Sequence, residues 1–365
     1  MAKKLVRLIN LCLEKQIPFV SYRLPDEEQT ITWVQRSGGF NLVESIIEVI
    51  DLPGFIYAPF HRRTNYPVVF FEPEIIIYND DFEKELLKSI SAQKPLYRDY
   101  EVQIPENTTK EEYLRQAGKF TEGFDHSIEK AVLSRVEKVQ KSKEFNAGEF
   151  FMKMQEAYPN AFCHIIHIPG TGTWAGATPE SLIRIDEKTA RTVSLAGTLP
   201  GEGYGEKYQW QAKEIEEQQL VNDYMEEILA AFDITQFNKT ATENIQAGDL
   251  IHLINKYDFN RGYLKDKLGE FLVKLHPTPA VCGYPKQAAL NLILDTEKHN
   301  REYYAGYCGP INYLGKTDLF VNLRCMKILP GQLALFVGGG LTAKSDPEKE
   351  WMETVLKSKT LLKLL

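Results

Sequence analysis

The last thirty residues hold the side chains with the most evident chemistry. Gly338-Gly339-Gly340 is followed by Ser345-Asp346-Pro347, then Glu348-Lys349-Glu350-Trp351-Met352-Glu353, with Lys357 one turn on. Asp346, Glu350, Glu353 and Lys357 are spaced by four, three and four residues, which puts them on one face of a helix. Ser345 and Glu348 make a Ser-x-x-Glu capping box, and Pro347 suits a first helical turn. Spacing alone favours a solvated face with an exposed Glu–Lys pair. The triple glycine adds a second expectation. Glycines can turn several N–H groups toward one point, giving an anion site beside a helix N-terminus, or they can simply make a tight strand-to-helix turn. Carboxylates beside an anion need a cation between them, and Mg²⁺ suits one or two carboxylates plus substrate oxygens.

Three further segments carry weaker signals. Glu214, Glu216 and Glu217 form an acidic cluster that matters only if one member points inward to meet Glu353. Ser194-Leu195-Ala196-Gly197-Thr198 ends an expected strand, and its glycine would let a ligand approach the backbone. In Leu275-His276-Pro277-Thr278-Pro279-Ala280-Val281-Cys282 two prolines stiffen the chain, as a pocket wall or as a structural loop.

The elements that must position these residues follow from local pattern. Strands are expected at 18–23, 30–35, 55–59, 68–72 and 74–78, and again at 161–168 and 181–185. Helices are expected at 81–91, from the Thr109-x-x-Glu112 box to about Phe120, and at 145–157. The segment 128–135 reads as a helix end or a strand start. A long acidic helix is expected over 207–232, with Ile215, Val221, Met225, Ile228 and Leu229 as its apolar stripe. Strands cluster rather than alternate with helices, which points to an α+β fold with antiparallel sheet.

Composition narrows the function classes. The 365 residues would suggest two domains at about 150 residues each, although single domains run larger. A formal net charge of −7 and the absence of long basic runs argue against a nucleic-acid partner. No apolar run approaches the roughly 18 residues that span a bilayer, and the amphipathic stretch Leu5 to Leu13 does not resemble a secretory signal. Five scattered cysteines with no Cys-x-x-Cys pair fit small buried hydrophobes in a reducing cytoplasm.

Taken in order, the motifs resemble those of the chorismate-utilising enzymes: isochorismate, salicylate and anthranilate synthases and their aminodeoxychorismate relatives. The matching stretches are Lys130-Ala-Val-Leu-Ser-Arg135, Gly176-Ala-Thr-Pro-Glu180, Leu195-Ala-Gly-Thr198, His276-Pro-Thr-Pro-Ala280, Arg301-Glu-Tyr-Tyr-Ala-Gly306, Leu323-Arg324, Gly338-Gly-Gly340 and Glu350-Trp-Met-Glu353 with Lys357. They cover roughly residues 108–365; residues 1–107 match loosely and are expected to be a variable part of the same domain. The resemblance implies one large α+β domain, with two facing antiparallel sheets, helices packed outside and a deep active site at one end.

It also implies roles. Lys130 resembles the general base of members that add water to the ring, where ammonia-adding members tend to have glutamine. Glu180 resembles the general acid for the departing hydroxyl. Lys130 would then need burial or a nearby positive charge, and Glu180 a raised pKa. Mg²⁺ would be held by Glu217 and Glu353, with Glu350 acting through water and Lys357 close by. Gly197, Thr198 and the Gly338, Gly339 and Gly340 amides would assist at the ring carboxylate. Tyr304 and Arg324 resemble the clamp on the enolpyruvyl carboxylate. His276 is either a pocket wall or a satisfied core histidine. Gln218 and Gln219 replace a histidine and a glutamate common in relatives, which leaves Glu216 and Glu217 to compete for the metal, with Glu217 preferred. The resemblance points to chorismate isomerisation to isochorismate, for menaquinone or siderophore synthesis, by a monomer without a glutaminase subunit. Salicylate synthase is the alternative, then anthranilate synthase or a non-catalytic binder.

Overall fold

Runs that are buried at every position become the inner strands. Phe162–Ile168 and Gly172–Thr178 are buried along their whole length, as strands covered on both faces must be. In a computed structural model that describes all residues except 1–2, 63–65, 98–100, 125–126, 202–208 and 249, such strands form two large antiparallel sheets. The first runs, in spatial order, Gly283–Tyr284, Lys130–Gln140, Gln332–Leu341, Cys325–Ile328, Gly172–Thr178, Phe162–Ile168, Phe19–Arg23, Thr30–Val34 and Ile75–Tyr78. The second runs Phe237–Lys239, Leu250–Asn260, Thr189–Pro200, Ser181–Ile185, Thr317–Val321, Tyr307–Ile311, Gly54–Ala58, Val68–Phe71 and Asn41–Val43, with Glu243–Ala247 also pairing Leu250–Asn260.

The sheets meet face to face through aromatic side chains. Phe162 of the first stacks on Phe320 of the second with ring centroids 4.3 Å apart, and Tyr22 meets Phe55 at 5.4 Å. Helices cover the outer faces. Lys3–Glu14 and Ala147–Ala157 bury Leu8, Ile9, Phe151 and Met154 against the first sheet, which gives a second apolar layer. All five cysteines are buried and free. The fold is therefore α+β with two antiparallel sheets in one domain.

The strands expected in the first eighty residues are present, and so is the Lys84–Ala92 helix. Thr109 Oγ1 accepts from the Glu112 N–H, capping Lys110–Gly123. The ambiguous segment 128–135 is the start of the strand Lys130–Gln140. The long acidic helix is Ala212–Ala231; the expected start at Lys207 lies outside the described residues. Its buried face begins at Gln218, so Ile215 is 54% exposed rather than part of the apolar stripe.

One ion pair ties the connection around residue 103 to the core. Lys327 Nζ lies 2.5 Å from Glu302 Oε2, both side chains at most 2% exposed, and donates to Gln103 O at 2.9 Å. Breaking such a pair leaves an uncompensated buried charge. Lys327→Ala should therefore lower unfolding free energy by about 3–5 kcal/mol, whereas a Lys327→Met, Glu302→Gln double variant should lose clearly less. Denaturant titration of both, against the wild type, reads the difference.

Candidate active site

The glycine triplet lies inside a strand. Gly338, Gly339 and Gly340 pair in register with Ser134, Leu133 and Val132 across the Lys130–Gln140 strand, and none of the three has a positive φ. The expected glycine turn before the helix is thus replaced by a strand, and its reason is close approach rather than backbone freedom. A Cβ on Gly338 would stand 2.8 Å from Tyr304 Oη. One on Gly339 would stand 3.5 Å from both Glu350 Oε2 and Glu353 Oε1. One on Gly340 would stand 2.7 Å from Glu217 Oε1 and 2.9 Å from Lys130 Cε. Each glycine makes room for a different group on the candidate list.

The other edge of the glycine strand opens where its neighbour ends. The Cys325–Ile328 strand pairs it only as far as Phe336. Beyond that point Lys357 Nζ donates to Gly338 O at 2.9 Å. In a strand the N–H and C=O of one residue face the same side and alternate along the chain. The Gly338 and Gly340 amides therefore face this open edge.

A cleft lies there, lined by Glu180, Gly197, Thr198, Glu217, His252, Tyr304, Arg324, the three glycines, Glu353 and Lys357, with Val132, Leu195, Ala280, Val281 and Phe336 as apolar wall. Eleven of the candidate residues thus converge on one space. Lys130 sits just behind the wall, completely buried, with Nζ 2.8 Å from Glu217 Oε1 and no other partner. Burial was expected for it; the neighbour that faces it is a carboxylate, where a cation was the alternative. Glu350 lies beyond Gly339 on the helix Pro347–Leu362. His276 does not line the cavity. Its Nε2 is 2.9 Å from Ala305 O and its ring packs on Tyr307, so it is a satisfied core histidine that holds the loop while Ala280 and Val281 reach the wall.

Glu217 rather than Glu216 faces the site. Glu216 is exposed and pairs with Lys344 at 3.2 Å. The helix is locked in this rotation by Gln218, whose Nε2 donates to Asn255 Oδ1 at 2.8 Å and Ser194 Oγ at 3.1 Å. Glu214 is spent on the helix start, accepting from the Gln211 N–H.

Each of the three carboxylates is held by a lysine: Glu217 by Lys130, Glu353 by Lys357 at 2.6 Å, and Glu350 by Lys213. Burial alone would push Glu217 up, but Lys130, Lys213 and Lys357 hold it below the usual carboxylate range. Glu350 moves the other way, raised by burial and by Glu353 despite Lys213. Glu180 is pushed up to about 7 by burial, with Lys130, Lys357 and Arg324 pulling against it. That rise moves its ionisation toward neutrality, the direction that a proton donor needs.

The carboxylate oxygens that converge at Gly339 and Gly340 are hard donors, and Glu350 Oε2 is buried without a hydrogen-bond partner. That donor chemistry fits Mg²⁺. No group of three His, Cys, Asp or Glu side chains placed to hold a metal exists among the described residues, where each of these carboxylates is paired with a lysine.

Two contributors escaped the sequence reading. His252 Nδ1 lies 2.8 Å from Gly197 O and so carries the proton, which leaves Nε2 bare at 3.5 Å from Arg324 Nη2. Burial, with Arg324 and Lys357 nearby, pushes its pKa down to about 3, so it is neutral. The strand register around residue 197 shifts, and Gly197 adopts φ +67° to reach it. Only the fold reveals that pairing. Lys213 did have a signal: a lysine in the first turn of a helix opposes the helix dipole. Arg324 itself is held by Thr360 Oγ1 at 3.0 Å.

Known proteins share this fold. The family described as chorismate binding enzyme matches residues 74–365. Isochorismate synthase EntC of Escherichia coli K12 is 29% identical over 266 residues, 71% of this chain and 67% of that protein. The salicylate biosynthesis isochorismate synthase of Pseudomonas aeruginosa is 36% identical over 200 residues, 52% of this chain and 41% of that protein. The crystal structure of DhbC from Bacillus anthracis, a putative 2,3-dihydroxybenzoate-specific isochorismate synthase by its description, has a TM-score of 0.79 at 22% identity and covers 100% of this chain and 99% of its own. Anthranilate synthase component I from Streptococcus pneumoniae aligns with a TM-score of 0.66 at 18% identity over 94% and 92% of the two chains. The chain belongs to the chorismate-binding enzyme family.

Proposed function

We propose that the protein is an isochorismate synthase, catalysing the reversible isomerisation of chorismate. The observation that carries the reading is Glu180: a carboxyl with a pKa near 7 lines a cavity that also presents Arg324 and Lys357, with the buried amine of Lys130 behind its wall. Water adds at C2 as the C4 hydroxyl departs and the ring double bonds shift between them. Lys130 takes a proton from the attacking water, and Glu180 gives one to the leaving hydroxyl. One water is consumed and one released, so atoms and protons balance. Before each turnover Lys130 must be neutral. Its side chain is completely buried, with Nζ 2.8 Å from Glu217 Oε1.

Two anionic groups of chorismate find separate cationic ends. Arg324, with Tyr304 close by, suits the enolpyruvyl carboxylate, and its guanidinium is steadied by Thr360 and the bare His252 Nε2. The open glycine edge, with the Gly338 and Gly340 amides and Lys357, suits the ring carboxylate. Glu217 and Glu353 would hold Mg²⁺, with Glu350 acting through water; when bound, the cation would neutralise charge on the ring carboxylate. The relatives' names include menaquinone and siderophore routes, and the product serves either.

Purified protein with chorismate and Mg²⁺ should yield isochorismate, followed by chromatography, and EDTA should stop it. Salicylate and pyruvate without a second enzyme would instead make it a salicylate synthase, and anthranilate from added ammonium would remove the water-adding reading. Glu180 acts as its protonated form, which is lost as pH rises through about 7. The kcat/KM profile should therefore carry an ionisation near 7 that Glu180→Gln removes, together with a loss of at least about 100-fold in kcat at every pH. An ionisation near 7 that persists in Glu180→Gln would take the acid role from Glu180. Lys130→Ala should still bind chorismate in an equilibrium titration while kcat drops by about 100-fold or more; turnover near the wild-type rate would remove Lys130 from the mechanism.

A further inference from the structure

Lys213 is costly where it stands. It is the second residue of the Ala212–Ala231 helix, where the dipole disfavours a cation. Its Nζ nonetheless reaches across to Oε1 of Glu350, in the first turn of the Pro347–Leu362 helix. Glu350 is nearly sealed, its side chain 3% exposed, whereas Lys213 is 26% exposed and keeps contact with solvent. The second oxygen, Glu350 Oε2, has no partner and lies beside Gly339, as does Glu353 Oε1. Glu353 has Lys357 as its partner, but without Lys213 the sealed Glu350 carboxylate would stand beside it uncompensated. A tethered ammonium solves that problem, and its partly exposed stem leaves it a path out to water.

We propose that Lys213 is an internal stand-in for the divalent cation: it neutralises Glu350 while no metal is bound, gives that carboxylate up to the water that an arriving Mg²⁺ brings, and so sets the affinity for the metal. The inference rests on the Mg²⁺ assignment above but not on the reaction catalysed. It differs from a role in which Lys213 merely orients Glu350, because the two predict opposite signs. A positioning lysine would help the metal bind; a competing one hinders it.

The test is calorimetric titration of MgCl₂ into the full-length protein without chorismate. Lys213→Met should bind Mg²⁺ about tenfold tighter than the wild type, the effect of removing one close, partly buried charge pair that binding otherwise has to break. In a Glu350→Gln background the same change should make little difference, because the carboxylate in dispute is gone. Without metal, Lys213→Met should melt at a lower temperature, and Mg²⁺ should raise its melting point by more than it raises that of the wild type. Should the methionine variant fail to fold, Lys213→Gln removes the charge while keeping a hydrogen-bond donor and should show the same tightening. Unchanged or weaker Mg²⁺ binding in a folded, charge-free variant overturns the proposal, as does a wild type that binds no Mg²⁺. Tightened binding in a protein that makes no isochorismate would support this inference and defeat the functional reading instead.

Discussion

The site depends on a strand that has given up its side chains. Gly338, Gly339 and Gly340 are held by the Lys130–Gln140 strand on one edge and left open on the other. Glycine weakens a strand interior, since it packs nothing and loses more entropy on ordering. Here the loss is offset by pairing on the closed edge and repaid in space. Side chains from two helices and from the neighbouring strand come within van der Waals distance of the bare backbone. The alternation of a strand does the sorting. Gly338 and Gly340 turn one way, to Tyr304 and to the Lys130–Glu217 pair, while Gly339 turns to Glu350 and Glu353.

Electrostatics at this point is a contest between burial and neighbouring charge. Burial raises every carboxyl in the group, and the outcome differs with the number of cations each one meets. Glu217, with three lysines acting on it, ends below the ordinary range. Glu180 feels Lys130, Lys357 and Arg324, yet burial prevails. Two carboxyl groups in one cavity thereby differ in charge near neutrality, the separation that the proposed division between holding a cation and delivering a proton requires. A polar layer made by Gln218, Ser194, Asn222 and Asn255 keeps the Glu217 helix from rotating. The glutamine that departs from the common histidine is thus a structural registrar here.

Much of this was readable before any coordinates. Short apolar runs bounded by turns gave the N-terminal strands, and the ordered motifs gave the residues that line the cavity. The misreadings share a cause. The glycine triplet looked like a turn because glycine frequency signals flexibility, whereas its purpose is to leave room for partners distant in sequence. His276 looked chemical because its motif is distinctive, yet the hydrogen bond to Ala305 O that settles its role spans 29 residues. His252 was invisible because its partner, the backbone of Gly197, is defined only by the pairing of two strands. Lys213 required weighing a helix dipole against a charge on another helix.

The first seventy residues match the family least, yet they are not an appendage. Phe19–Arg23 and Thr30–Val34 extend one sheet, and Gly54–Ala58, Val68–Phe71 and Asn41–Val43 extend the other. The family match begins at residue 74, in the middle of this arrangement. Sheet extension is written in main-chain hydrogen bonds, which any sequence able to adopt an extended, suitably apolar strand can supply. The outer strands can therefore drift in identity while remaining indispensable to the architecture. The frontier at which kinship fades from the sequence and the frontier of the folding unit are set by different forces, and in this protein they do not coincide.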